Sequence, residues 1–353
     1  MNRITRYLVS TILGFTAITG LALVAIYTFI SFVSEIDETG EGGFGMLQLL
    51  WYTLMLMPAG LYTLMPIIAL LGTLMGLGAL AAQNEINAMR ASGVTLVRLG
   101  GAALLAGAVL GGCAVLLGDW LAPLGNSAAQ AFKNKSRYSV ENAVSSRPVW
   151  LRDGANVLHV RALQAEDAMA DLDIYTLSPQ LQIDQVMHVD RAHFVDGHWE
   201  LSGVRTTRFE SGRTVSESTP QMRWDATLSP EVLRLFVLEA NSLSTPGLMR
   251  LISYMDENGL DAQAYRLSLW RKLVAPFTVM AMMLIAVPFV LGSQRGGAGQ
   301  RLLVGIMVGL VFYVVNEVTA SMGQLFGWPI LASAGLPTLV LAALAVLRLK
   351  RAR

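Results

Sequence analysis

Six stretches of this chain are apolar for longer than a soluble core requires. Residues 8–33 run for 26 positions without an Asp, Glu, Lys, Arg or His, and residues 46–82 for 37. A hydrocarbon layer about 30 Å thick is crossed by about 20 helical residues. The first stretch is too long for a signal-peptide core and no small-x-small cleavage site follows it, so an uncleaved first span is expected. Pro58, Gly60 and Pro66 divide the second stretch into a short interfacial helix and a span of about 20 residues. Further spans are expected at 99–117, 273–291, 302–326 and 330–347. Composition agrees: only 14% of residues are charged, against about 25% in soluble domains. A net charge of +1 leaves no polyanion footprint, and the single Cys113 excludes an intramolecular disulfide.

Charge placement orients these spans. With the N-terminus in the cytoplasm, the inside segments hold Arg3, Arg6, Arg90, Arg98, Arg295, Arg301, Arg348, Lys350, Arg351 and Arg353 against one acid, Glu85. The first outside loop holds Glu35, Asp37, Glu38 and Glu41 and no base. That bias places both termini inside.

Between the third and fourth spans the composition changes. Residues 138–266 contain 18 of the 25 acids and all four histidines. Short apolar runs are broken by Asp153-Gly154, Asp196-Gly197 and Ser211-Gly212, turn signals that predict antiparallel strands in a sandwich. Ser244-Thr245-Pro246 reads as a helix start, Asn258-Gly259 as its stop, and Asp261 as a cap for the next helix. The expected fold is an α-helical membrane protein of six transmembrane helices with an inserted all-β domain outside the cytoplasm. Its expected divisions are 1–137 with the first three spans, 138–262 as the β domain, and 263–353 with the last three.

No residue set points to catalysis. No Gly-Lys pair occurs, so there is no P-loop, and the glycine-rich run 292–297 reads as a flexible link. Energised work would need ATP hydrolysis in another chain, or a gradient. His188, His193 and His198 are spaced by five, which suits neither one helix face nor one side of a strand, so ordinary strand histidines are expected and no metal. Glu317, beside Asn316 inside the fifth span, should face the bundle interior, a partner or water. An interhelical contact and a proton site in transport are both open to it. Lys133, Lys135, Arg137, Arg271 and Lys272 violate the charge bias at the outer boundary. They suit an anionic headgroup or snorkelling to ordinary lipid phosphates equally. Residues 83–93 form a short amphipathic segment with Ile86 and Met89 on one side and Gly93 as a stop, either docking on a soluble partner or lying at the interface.

Four segments together resemble the LptF/LptG permease family of the lipopolysaccharide export system. They are 77–93 (LGALAAQNEINAMRASG), 118–123 (GDWLAP), 150–154 (WLRDG) and 259–276 (GLDAQAYRLSLWRKLVAP), in family order along nearly the whole chain. The resemblance implies six spans with a periplasmic β-jellyroll after the third, in the inner membrane of a Gram-negative bacterium. It implies pairing with the related permease LptF, a dimer of the ATPase LptB that uses ATP and Mg, contact with LptC near span one, and lipopolysaccharide as substrate. No cofactor of the chain's own is implied.

Carried over residue by residue, Glu85, Ile86, Met89, Arg90 and Gly93 belong to a coupling helix in the ATPase groove, with Glu85 against a base of that groove. Lys133 and Lys272 match family substrate-binding bases. The family's lysines at the outer end of span one have no match, because residues 34–42 carry four acids and no base. Lys133, Lys135, Arg137, Arg271 and Lys272 are therefore expected to compensate. Outside this reading stand the paralogous permease of the pair, a gradient-driven transporter using Glu317, and an envelope scaffold.

Overall fold

The computed structural model describes residues 3–40, 43–137, 149–165, 168–178, 180, 182–210, 213–226, 228–237, 240–292 and 298–351. The expectations for Glu41, Ser211-Gly212, the run 293–297 and Arg353 fall outside them. The chain divides into two compact units: residues 1–36, 53–126 and 263–353, and residues 37–52 and 127–262.

In chain order the helices are α1 (Arg3–Ser34), α2 (Met46–Met55), α3 (Met57–Ala82), α4 (Glu85–Ala91) and α5 (Leu96–Leu116), then a π turn (Leu117–Leu121) and α6 (Ala122–Arg137). After the strands come α7 (Pro230–Val237), α8 (Thr245–Glu257), α9 (Gln263–Gly292), α10 (Ala298–Phe326) and α11 (Ile330–Arg351). Among the described residues six helices are long and apolar enough to cross a membrane, α5 doing so together with the π turn and α6. The long second stretch breaks at Leu56, just before Pro58, and Pro66 lies within α3.

The first unit is built around α3 and α9, with α5 and α11 against α9. The core runs through Leu70, Leu74 and Leu77 of α3, Ala103 and Ala106 of α5, and Met282, Met283 and Ala286 of α9. Lipid tails give no hydrophobic drive between spans, so close approach of small residues does the packing. A Cβ on Gly72 would overlap Thr16 of α1, and one on Gly111 of α5 would lie 3.1 Å from Pro276 of α9. Thr278 of α9 and Thr338 of α11 share a buried hydrogen bond of 2.8 Å. Burial is uneven: 67% of the most apolar window of α3 is enclosed, 22% of that of α1 and 11% of that of α10. α1 buries only Leu8, Ile12, Thr16, Gly20 and Val24, one residue per turn.

The second unit holds one antiparallel sheet of six strands in sequential order. These are β1 (Val149–Asp153), β2 (Asn156–Ala165), β3 (Ala168–Leu177), β4 (Ile183–Val195), β5 (His198–Glu210) and β6 (Arg213–Trp224). Neighbouring strands are joined as a meander; among the described residues none of the crossing connections of a jellyroll is present. Asp196 (φ 47°) and Gly197 (φ 84°) join β4 to β5 through the left-handed pair of conformations that a tight hairpin turn demands. Side chains alternate into the core at Leu172 and Ile174, Met187 and Val189, and Val204 and Thr206. The alternation then skips a residue on three strands at once, and Met169, Ala192 and Leu201 are buried next. Register is unchanged across the skip, Leu172 facing Val189 and Met169 facing Ala192. The crease runs through Asp171 and Gly203, both at positive φ (52° and 69°). There the inward face of the sheet changes parity. At the tip, Trp199 is fully buried and its indole N–H donates to the Leu228 carbonyl at 2.8 Å.

α8 starts on the Ser244 hydroxyl, which accepts from Gly247 N–H, and stops in a Schellman motif. Gly259 N–H bonds the Asp256 carbonyl and Leu260 N–H the Met255 carbonyl, with Gly259 at φ 64°.

Candidate functional site

Two ion pairs join helices within the membrane unit, Arg271 with Glu317 and Lys272 with Asp119. At the end where α9 begins, Arg271 points to α10: its guanidinium donates to the Glu317 carboxylate at 2.9 Å and to the Asn316 carbonyl at 3.5 Å. Glu317 is thus an interhelical ion-pair partner in this structure. Lys272, one residue on, points the other way. Its ammonium donates to the Gly118 carbonyl at 2.6 Å and to Asp119 at 3.4 Å, and lies 5.9 Å from the centre of the Tyr62 ring.

That second pocket follows from local sequence. In the π turn, Ala122 N–H reaches back to the Leu117 carbonyl. The next backbone donor would come from residue 123, which is a proline and has none. Gly118 therefore keeps a carbonyl without a helical donor, and the Lys272 ammonium takes it. Gly118 is itself required, since a Cβ there would lie 2.6 Å from the Tyr62 ring. Asp119 supplies the countercharge, and the Lys272 side chain is only 8% exposed. Neither Arg271 nor Lys272 stands as an unpaired cation facing a headgroup. Their expected joint site is instead two separate pairs, because consecutive helical residues point about 100° apart.

In the second unit, Lys133 of α6 pairs with Glu38, an acid of the segment between α1 and α2, and its ammonium lies 4.9 Å from the centre of the Tyr52 ring. Lys135 and Arg137 lie in the last turn of α6, and their side chains fall outside the described residues.

The other polar locus is α4. Asn84 turns the chain out of α3 in the left-handed region (φ 60°), which Asn tolerates better than other side-chain residues. The helix ends in a second Schellman motif: Gly93 (φ 90°) bonds the Arg90 carbonyl, and Val94 the Met89 carbonyl. Ile86 is 2% exposed in the core, with Met89 packed against it. The expectation that Ile86 offers itself to a partner is corrected accordingly: its side chain pins α4 to its own bundle. Asn87, Ala88, Arg90 and Ala91 face outward. The Tyr7 hydroxyl of α1 donates to the Glu85 carboxylate at 2.9 Å. Arg301 of α10, 8% exposed, donates to the Gly78 carbonyl near the end of α3 at 2.6 Å, while its Nε has no hydrogen-bond partner among the described residues. Neither contact is legible in the sequence, where Arg301 is one basic residue among several and no spacing connects it to Gly78.

On the sheet, Asp173 accepts from Arg161 at 2.6 Å and pairs with His188 at 2.8 Å. Among the described residues no three His, Cys, Asp or Glu side chains are placed to hold a metal ion.

This architecture is that of a polytopic membrane protein with a β domain inserted after its third span and polar groups that position helices rather than surround a reacting atom. The chain matches, over residues 6–351, the family described as lipopolysaccharide export system permease LptF/LptG, and it belongs to that family. It is 30% identical over 348 residues to the lipopolysaccharide export system permease protein LptG of Haemophilus influenzae, covering 96% of each chain. It is 29% identical over 291 residues to the protein of the same name from Escherichia coli K12, covering 81% of each.

Proposed function

We propose that this chain is the LptG-type subunit of an ATP-driven exporter that extracts lipopolysaccharide from the outer leaflet of a Gram-negative inner membrane. It works with a second permease, LptF, and a dimer of the ATPase LptB, which uses ATP and Mg. LptC lies near α1. The relatives it matches along most of their length carry the LptG name, which favours that member of the pair. Both termini and α4 lie in the cytoplasm and the sheet in the periplasm, as the basic residues at the α4 end of the bundle require.

One observation carries the reading of a borrowed motor. α4 is a seven-residue helix capped by Gly93 and nailed to the bundle by Ile86, with an exposed polar side. Rigid attachment on one face and exposed polar groups on the other suit a surface that receives force from a soluble partner. Glu85 and Arg90 meet the ATPase; α1, α3 and α10 line the lipid cavity together with the partner permease. Lys133, Lys135, Arg137 and Arg271 serve the headgroup phosphates by exchange, a phosphate taking the place of Glu38 on Lys133 or of Glu317 on Arg271, while Lys272 holds α9 to the π turn. The acyl chains expose several hundred Å² of apolar surface, which at about 25 cal/mol per Å² requires a covered route out of the bilayer.

The test is affinity purification from detergent-solubilised membranes, with mass spectrometry of proteins and lipids, repeated on Glu85→Ala. Recovery of a second six-span permease, an ATPase and lipopolysaccharide, with the ATPase depleted in the variant, is the expected result. A lone chain with ordinary phospholipid would instead support a scaffold or a gradient-driven transporter.

A further inference from the structure

The two least enclosed spans, α1 and α10, each touch α3 mainly through apolar side chains and small residues. Such contacts are non-directional and let one helix slide or tilt against another. Each of these spans nevertheless has one directional bond to the corner where α3 turns into α4. From α1 it is Tyr7 on the Glu85 carboxylate at 2.9 Å; from α10 it is Arg301 on the Gly78 carbonyl at 2.6 Å.

We propose that Tyr7 and Arg301 are positioning residues that tie the loosely held spans α1 and α10 to the α3–α4 corner, so that displacement of α4 is passed to both at once. The proposal rests on the reading of α4 as the helix moved by an ATPase.

Three features of the corner support it. α4 cannot move alone, because Ile86 is sunk in the core and both of its ends are set by left-handed residues, Asn84 and Gly93. The Arg301 contact is costly to keep: a guanidinium that is 8% exposed, its Nε without a hydrogen-bond partner among the described residues, carries an unrecovered desolvation penalty. The geometry is also specific, since Gly78 leaves room for the guanidinium where a Cβ would lie 2.6 Å from its Nη1. The partial negative charge near the α3 C-terminus favours the cation there. At the other contact, Tyr7 occupies Oε2 of Glu85. A carboxylate has two oxygens, so a base of the ATPase can be accepted on Oε1 without releasing α1.

The experiment uses the whole exporter, this chain with its partner permease and ATPase, reconstituted in proteoliposomes loaded with lipopolysaccharide. ATP hydrolysis and lipid extraction are measured together for wild type, Tyr7→Phe, Arg301→Lys and Gly78→Ala. Each variant is expected to keep the ATPase bound and hydrolysing, while lipid extracted per ATP falls about five- to tenfold, the equilibrium weight of one hydrogen bond of ordinary net strength. Gly78→Ala is the check on Arg301, because it displaces the guanidinium while retaining the arginine. A merely structural role would lower thermal stability and ATPase retention together and leave lipid per ATP intact. That result, or unchanged lipid per ATP in all three stably assembled variants, overturns the proposal. A wild-type chain that recruits no ATPase overturns the reading of α4 as well, and is distinguished by failing before any variant is compared.

Discussion

Lys272 carries its positive charge into a site made by Gly118, Asp119, Pro123 and Tyr62, and the pairing is local enough to test. Lys272→Ala leaves the Gly118 carbonyl without a donor and Asp119 without its countercharge, an expected loss of about 1–3 kcal/mol. Thermal unfolding in detergent should show it as a lowered Tm, partly recovered by adding Asp119→Asn. A fall in lipid crosslinking with unchanged Tm would instead make Lys272 a headgroup ligand first. Glu317 is bonded to Arg271, so Glu317→Gln keeps an acceptor for the guanidinium. ATP-dependent extraction is expected to stay within about threefold of wild type, in line with the modest weight of interhelical hydrogen bonds in membranes. A proton-driven transporter would lose activity outright.

Tyr254 shows a pH effect outside the membrane. Burial, reinforced by Asp153, pushes its phenol above the usual tyrosine range, and its hydroxyl donates to the Arg152 carbonyl at 2.7 Å. The folded protein holds that proton more tightly than the unfolded chain, which titrates at about 10. The contribution is thus complete below that pH and is lost as pH rises further toward the folded value. Above that point the stability of the full chain should fall less steeply with pH in Tyr254→Phe than in wild type.

At the scale of elements, two glycines decide geometry that neighbouring side chains only fill. Gly93 ends α4 at φ 90°, and Gly93→Ala should cost about 1–2 kcal/mol of that cap. Less ATPase should then co-purify. Gly203 sits in the crease of the sheet at φ 69°, where a Cβ would collide with the Asp190 carboxylate. Gly203→Ala is expected to raise protease sensitivity between β4 and β5. Adding Asp190→Ala should restore only the steric part, the backbone strain remaining. Alternation alone assigns the inward residues of β3, β4 and β5 up to this crease and misassigns them beyond it. Asp171 and Gly203 adopt left-handed conformations there, and no period of two anticipates that.

For the whole molecule, the six spans and the inserted sheet follow from one solvent argument. Lipid demands long uncharged helices with all backbone bonds internal, and water permits short alternating strands with polar turns. The orientation proposed above has a direct check. With Cys113 replaced, a cysteine at exposed Ala88 should react with a membrane-impermeant reagent only from the cytoplasmic side, and one at exposed Ser218 only from the periplasmic side. Labelling of both from one side would refute the topology. The thin burial of α1 and α10 leaves Leu21 and Leu325 among the most exposed apolar side chains, a surface suited to lipid or to a second permease.

Local pattern alone shows six long apolar helices, antiparallel strands after the third, the hairpin turn at Asp196-Gly197, and the stops of α4 and α8. In each case the cause lies within a few residues: an uncharged run, an Asp-Gly pair, a glycine after the last helical turn. What the charges do depends on the packing of distant helices. Arg271 and Glu317 are 46 residues apart, Lys272 and Asp119 are 153 apart, and Arg301 and Gly78 are 223 apart. A side chain's electrostatic partner depends on which helix faces pack together, and a local pattern records only that a charge exists. Within the basic group, Lys133 pairs with Glu38, Arg271 with Glu317 and Lys272 with Asp119 for that reason. Packing likewise turned Ile86 from a surface for a partner into the anchor of its own helix.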